Sequence, residues 1–235
     1  MPKDHGIGAS SKRREDIRFL TGEGNYTDDI NVNGQAYVYF LRSDVAHGTL
    51  NGVDTSAADG MPGVVRIFTG ADFEAVGSIP CGWQVTDKHG EVMQEPRHPV
   101  LAHGKVRHVG EPIAAVVAET LEQARDAAEA IVLDISELPA VINMKDAVKA
   151  GAPKVHDDLT SNLCYDWGFV EENKGAVDQA FKDAAHVTTL ELVNNRLVAN
   201  PMEPRVAVGD YSRGTGDHTL FTTSQNPHVI RLLMG

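Results

Sequence analysis

Three histidines, His98, His103 and His108, recur at five-residue intervals, and imidazole is the side chain best suited to binding transition metals or moving protons near neutral pH. A spacing of five places them on neither one helical face nor one strand face. The chain has ten histidines but no His-x-His or Cys-x-x-Cys pair, so spacing alone assembles no metal site. Its two cysteines, Cys81 and Cys164, are too far apart in sequence for a metal or iron–sulfur motif and form no disulfide framework. Glu15 with Asp16, and Asp28 with Asp29, are adjacent acids in polar turns and read as solvated rather than catalytic. Glu111 follows a glycine beside an apolar run, and Gln225 offers a neutral amide just before Pro227. No glycine-rich loop follows a strand and opens a helix, which disfavours a dinucleotide-binding first domain. From pattern alone, these residues complete no active site.

The elements that must position them are uneven. Residues 1–33 are polar and turn-rich, an extended arm that needs other structure to lie on. Ala36–Leu41 and Val64–Phe68 predict strands, Thr55–Asp59 a short helix, and residues 77–105 a long loop. The clearest unit is 109–138: an apolar strand at Ile113–Ala118, a helix capped by Thr120 with Gln123 in the reciprocal position, and a returning strand at Ile131–Ile135. Leu121, Ala124, Ala128 and Ile131 share the apolar face of that helix. Asn143–Ala150 predicts a short helix, and Gly151-Ala-Pro153 the best domain boundary. Beyond it, Val177, Ala180, Phe181 and Ala184 mark a helix, and His186–Val193, Arg205–Tyr211 and Thr219–Thr223 mark strands. Pro227 suits the first turn of a final helix carrying Val229, Ile230, Leu233 and Met234.

A chain of 235 residues with 42% hydrophobic and 23% charged content is long enough for one or two cored domains. Its net charge of −12 argues against a nucleic-acid backbone or an anionic membrane as the main partner. No window approaches the roughly 18 apolar residues of a membrane span. The first residues lack the apolar core of a secretory signal, and a cytoplasmic setting is the expectation.

Four motifs resemble one family. They are Arg14-Glu-Asp-Ile-Arg-Phe-Leu-Thr-Gly-Glu-Gly-Asn-Tyr-Thr-Asp-Asp29, Val109-Gly-Glu-Pro-Ile-Ala-Ala-Val-Val-Ala118, Asn200-Pro-Met-Glu-Pro-Arg205 and Thr223-Ser-Gln-Asn-Pro-His-Val-Ile-Arg231. In this order they resemble the large, molybdopterin-binding subunit of the molybdenum hydroxylases: xanthine dehydrogenase, aldehyde oxidase and aerobic carbon monoxide dehydrogenase. One departure is visible in Arg42-Ser-Asp-Val-Ala-His-Gly48, where Asp44 and Val45 replace the family's usual Pro-His.

The resemblance implies an α+β fold. Its organisation would be an arm over 1–33, an α/β hammerhead domain over 34–150, a linker over 151–160, and over 161–235 the incomplete beginning of the first molybdopterin-binding domain. The chain would be the front third of a larger subunit. Gln225 falls where the family places a glutamine whose amide hydrogen-bonds an oxygen ligand of molybdenum. It is therefore the expected catalytic and cofactor-contacting residue, and no residue is expected to ligate the metal directly. Glu203 reads as structural, pairing or capping at a buried turn. Glu111 imitates the family's catalytic Gly-Glu motif, but its flanks match the hammerhead strand and it is given no catalytic role.

The implied reaction is hydroxylation of an aldehyde, carbon monoxide or an N-heterocycle with oxygen from water. The implied cofactor is molybdenum–molybdopterin, in a dinucleotide form. Electrons would pass to an iron–sulfur small subunit and an FAD-bearing medium subunit in a dimer of heterotrimers. Neither iron–sulfur nor FAD is expected in this chain, and the chain alone is expected to be inactive. The alternative is a truncated or free-standing hammerhead protein acting as a non-catalytic assembly or binding module.

Overall fold

The apolar run Pro112–Ala118 is the strand around which the larger part of the molecule is built. The computed structural model describes residues 6–78, 81–168 and 173–234. Contacts group the chain into two units, one of Ala36–Leu190 and one of Met1–Gln35 with Glu191–Gly235.

The first unit holds β1 (Tyr37–Arg42), β2 (Gly48–Asp54), β3 (Val64–Thr69), β4 (Lys105–Val106), β5 (Pro112–Ala118) and β6 (Val132–Glu137). They form two three-stranded sheets, in the orders β1-β5-β3 and β4-β2-β6, with antiparallel neighbours throughout. Helices α2 (Leu121–Glu129), α3 (Met144–Ala147) and α4 (Lys174–Asp183) belong to the same unit. This mixture of helices and antiparallel sheets is the expected α+β class.

As the sequence predicts, α2 opens on a reciprocal cap. Gln123 N–H donates to Thr120 Oγ1 at 3.2 Å, and Thr120 N–H donates to Gln123 Oε1 at 3.0 Å. The helix buries Ala124, Ala127 and Ala128 against Ala114, Val116 and Ala118 of β5. A second cluster joins Leu50, Ala102, Val106 and Ile113. Side chains of β5 thus enter both clusters, which explains its near-continuous apolar sequence. The predicted strand–helix–strand unit is present, but its two strands lie in different sheets.

Several elements differ from the sequence expectation. Strand β2 is unpredicted, because Gly48-Thr-Leu-Asn-Gly-Val-Asp54 has little β-branched or aromatic content. It is nevertheless the central strand of its sheet. A Cβ on Gly48 would lie 2.6 Å from Ile135 Cγ2, so close strand packing selects glycine there. Thr55–Asp59 is a single turn rather than a helix, with Ala58 N–H and Asp59 N–H both donating to Thr55 O at 2.9 Å. The loop of 77–105 contains two isolated antiparallel bridges, Ser78–Pro99 and Thr86–Val92, and ends in β4. The helix expected over Asn143–Ala150 is confined to α3, with Asn143 Oδ1 capping the Lys145 amide at 2.8 Å.

The second unit contains α1 (Asp16–Leu20), a 3₁₀ turn at Thr27–Asp29, the β7 (Ala207–Tyr211)–β8 (His218–Thr222) hairpin and α5 (Pro227–Met234). The hairpin and the final helix follow the sequence expectation. The strand predicted over His186–Val193 does not form. A strand is stable only when its N–H and C=O groups find a neighbouring edge. Without one, Leu190, Leu192 and Val193 are each at least 75% exposed. All buried hydrophobic residues among those described lie between Leu50 and Ile131.

Candidate functional site

Gln225 lies in the short connection between β8 and α5. The β7–β8 pairing runs in register from Ala207–Thr222 to Tyr211–His218. Ser212 N–H donates to Asp217 O at 2.9 Å and closes the hairpin turn. At the open end, Thr222 Oγ1 donates to Val206 O at 3.0 Å and Thr223 Oγ1 to Pro204 O at 3.5 Å. Two threonines thereby fix the strand exit against the Asn200–Arg205 segment. Asn226 N–H donates to Ser224 Oγ at 2.9 Å, and Ile230 N–H to Asn226 O at 3.1 Å. A serine turn therefore hands the chain directly to the helix. Gln225 sits on that turn, exposed, and its carboxamide makes no hydrogen bond among the described residues. A neutral group with two free N–H donors on a braced turn can polarise an oxygen acceptor without adding charge.

Glu203 is partly buried and caps the Thr27–Asp29 turn. Its Oε1 accepts from Thr27 N–H at 3.0 Å and from Thr27 Oγ1 at 3.2 Å. The capping expected of Glu203 is present, but the turn it caps holds no buried residue, so the expected buried setting is not. Its partner was not legible, because the contact spans 176 positions.

Glu111 belongs to the other unit and is only 7% exposed. Its carboxylate accepts from Arg107 N–H at 2.5 Å and lies 4.0 Å from the Arg107 guanidinium and 3.8 Å from His108 Nδ1. Its backbone carbonyl accepts from Ser43 N–H at 2.9 Å. These contacts hold the β4–β5 connection against the end of β1, a structural role.

The remaining candidates do not converge. His98 pairs with Ser78 through backbone and hydroxyl, while His108 faces Glu111. Among the described residues, no three His, Cys, Asp or Glu side chains are gathered to hold a metal. Cys81 and Cys164 are free, exposed thiols directed at the carbonyls of Trp83 and Gln94.

One arrangement has no signal in the sequence. Residues 155–168 run back along the 77–105 loop, with Gln94 N–H donating to Cys164 O at 2.9 Å and Lys88 Nζ 2.6 Å from Asp166. Between them is a half-open cavity of about 260 Å³ lined by Gln94, Pro96, Val155, His156, Leu159 and Leu163 among others. Burial, and secondarily the Arg107 guanidinium, hold the His156 pKa below its ordinary 6.5.

Comparison with known proteins places these features in a family. Residues 21–139 match the family model of the aldehyde oxidase and xanthine dehydrogenase a/b hammerhead domain, and residues 155–235 match that of the molybdopterin cofactor-binding domain. The chain belongs to the aldehyde oxidase and xanthine dehydrogenase family. Within that family it is 35% identical over 228 residues to the nicotine 6-hydroxylase large subunit of Paenarthrobacter nicotinovorans, covering 97% of this chain and 27% of the relative. It is 32% identical to the carbon monoxide dehydrogenase large chain of Hydrogenophaga pseudoflava, covering 94% of this chain and 28% of that one. The fold matches quinoline 2-oxidoreductase from Pseudomonas putida 86 with a TM-score of 0.81 and 33% identity, over 99% of this chain and 28% of that structure. The chain thus spans little more than a quarter of the length of these family relatives.

Proposed function

We propose that this chain supplies the hammerhead and part of the first cofactor-binding domain of the molybdopterin-binding subunit of an oxidoreductase. The substrate is an aldehyde, carbon monoxide or an N-heterocycle. It gains an oxygen atom from water and loses two electrons, with two protons released. The observation that carries this reading is the Gln225 amide, without a hydrogen-bond partner among the described residues and held on a turn fixed by Thr222 and Thr223. The match of residues 155–235 to a cofactor-binding domain supports it over a purely non-catalytic hammerhead module.

The donor set suits the proposed group, because a neutral amide complements an oxygen-rich, anionic cofactor without competing for the metal. When bound, molybdenum–molybdopterin, in the dinucleotide form proposed here, supplies the Lewis-acid and two-electron chemistry. Gln225 orients and polarises an oxygen acceptor of that group. We further assign electron transfer to iron–sulfur and FAD-bearing partner subunits in a cytoplasmic dimer of heterotrimers. The remaining cofactor domains of the large subunit are the partners that cover the exposed residues of 186–202.

The test is Gln225→Ala in the assembled enzyme. Loss of one preorganised donor lowers turnover by roughly 10²- to 10³-fold, with cofactor content unchanged. Glu111→Gln serves as the comparison and leaves the chemical step nearly untouched. A silent Gln225→Ala beside an inactive Glu111→Gln overturns the assignment.

A further inference from the structure

We propose that Glu203 is a positioning residue for Gln225, tying the turn that presents the amide to the amino-terminal arm. The proposal rests on the functional reading of Gln225 given above, and the contacts that support it are independent of that reading. On one side, Glu203 Oε1 takes both the N–H and the hydroxyl of Thr27, at 3.0 and 3.2 Å. On the other, the next residue, Pro204, accepts from Thr223 Oγ1, and Val206 accepts from Thr222 Oγ1. Only Ser224 separates Thr223 from Gln225.

The arm is a braced anchor rather than a loose end. Tyr26 N–H donates to Asp29 Oδ2 at 2.8 Å across the 3₁₀ turn, and the Phe19 ring stacks on Tyr26 with centroids 6.1 Å apart. Glu203 is thus the link between a rigid turn and the segment that holds the β8 exit. It uses one carboxylate oxygen, purely as an acceptor, so glutamine can serve the same function and alanine cannot.

Hydrogen exchange on the full chain tests this without any cofactor. Glu203→Ala is expected to speed exchange roughly tenfold or more at residues 27–30 and also at 222–226, as removal of a charge-assisted bond opens both ends. Glu203→Gln restores near-wild-type protection at both places. Thr27→Val, which keeps the backbone donor, gives a smaller rise in the same two segments and serves if Glu203→Ala does not fold. Acceleration at 27–30 with 222–226 unchanged overturns the proposal and reduces Glu203 to a cap on the arm. In the assembled enzyme, adding Glu203→Ala to Gln225→Ala costs no further turnover, whereas fully multiplicative losses contradict a role exerted through Gln225. A silent Gln225→Ala defeats the functional reading alone and leaves the exchange result standing.

Discussion

Asn162 Nδ2 donates to the carbonyl of Ala147 at 3.0 Å, joining the segment after Pro153 to the end of α3. The same carboxamide donates to Pro153 O at 2.9 Å and accepts from Val155 N–H at 2.9 Å. One side chain therefore satisfies three backbone groups that no helix or strand pairs. Asn162→Ala is expected to cost about 2–3 kcal/mol, at about 1 kcal/mol for each neutral bond lost. Hydrogen exchange would show this as faster exchange of the Val155 amide. Asn162→Asp keeps the acceptor and should protect that amide while still losing both donors.

His156 gives the larger unit a pH dependence of definite sign. Its folded pKa lies below the unfolded value of 6.5, through burial first and then the charge of Arg107, with Lys105 acting in the same direction against Asp158 and Glu111. The unfolded chain therefore binds the proton more readily than the folded one. This contribution is fully present above pH 6.5 and is lost as pH falls through the folded pKa. Urea midpoints measured between pH 7.5 and 5 should fall with acid, and His156→Gln should flatten part of that slope.

The centre of the larger unit is sensitive to volume. Ile113 is fully buried in the cluster with Leu50, Ala102 and Val106. Ile113→Ala should destabilise the unit by roughly 2–5 kcal/mol, the range for deleting a large aliphatic side chain from a packed core. Chemical denaturation would measure it. Exposed Ile142→Ala, at 85% exposure, is the control and should shift the midpoint little.

Limited proteolysis should cut first within 186–202. This segment carries neither helix nor strand, and its Leu197, Val198 and Met202 are at least 90% exposed. Backbone without helix or strand pairing opens at little cost. Early cleavage inside 113–135, with 186–202 left intact, would contradict this ordering of local stability.

The parts legible in the sequence were those decided locally. The Thr120–Gln123 cap and the apolar β5 run declare themselves within a few residues, and so does Pro227 at the start of α5. Gln225 is proposed only on its flanking motif, since its own type is unremarkable in a turn. What stayed hidden depends on partners distant in sequence. Central strand β2 owes its place to Val106 and Ile135 on its neighbours rather than to its own composition. The expected strand at His186–Val193 is absent for the converse reason, having strand-like residues but pairing with no other strand among the described residues. The cavity beside His156 arises from two loops, neither of which carries a periodic signal.

The bond between Thr27 and Glu203 also sets an order of events during synthesis. Its two ends are 176 residues apart. At roughly 5–20 residues per second, a ribosome makes Glu203 some 9–35 s after Thr27. In that interval the sheets around β5, whose contacts all fall between them, can close on their own. The arm is thus translated early and fastened late, after the sheets around β5 have had time to close.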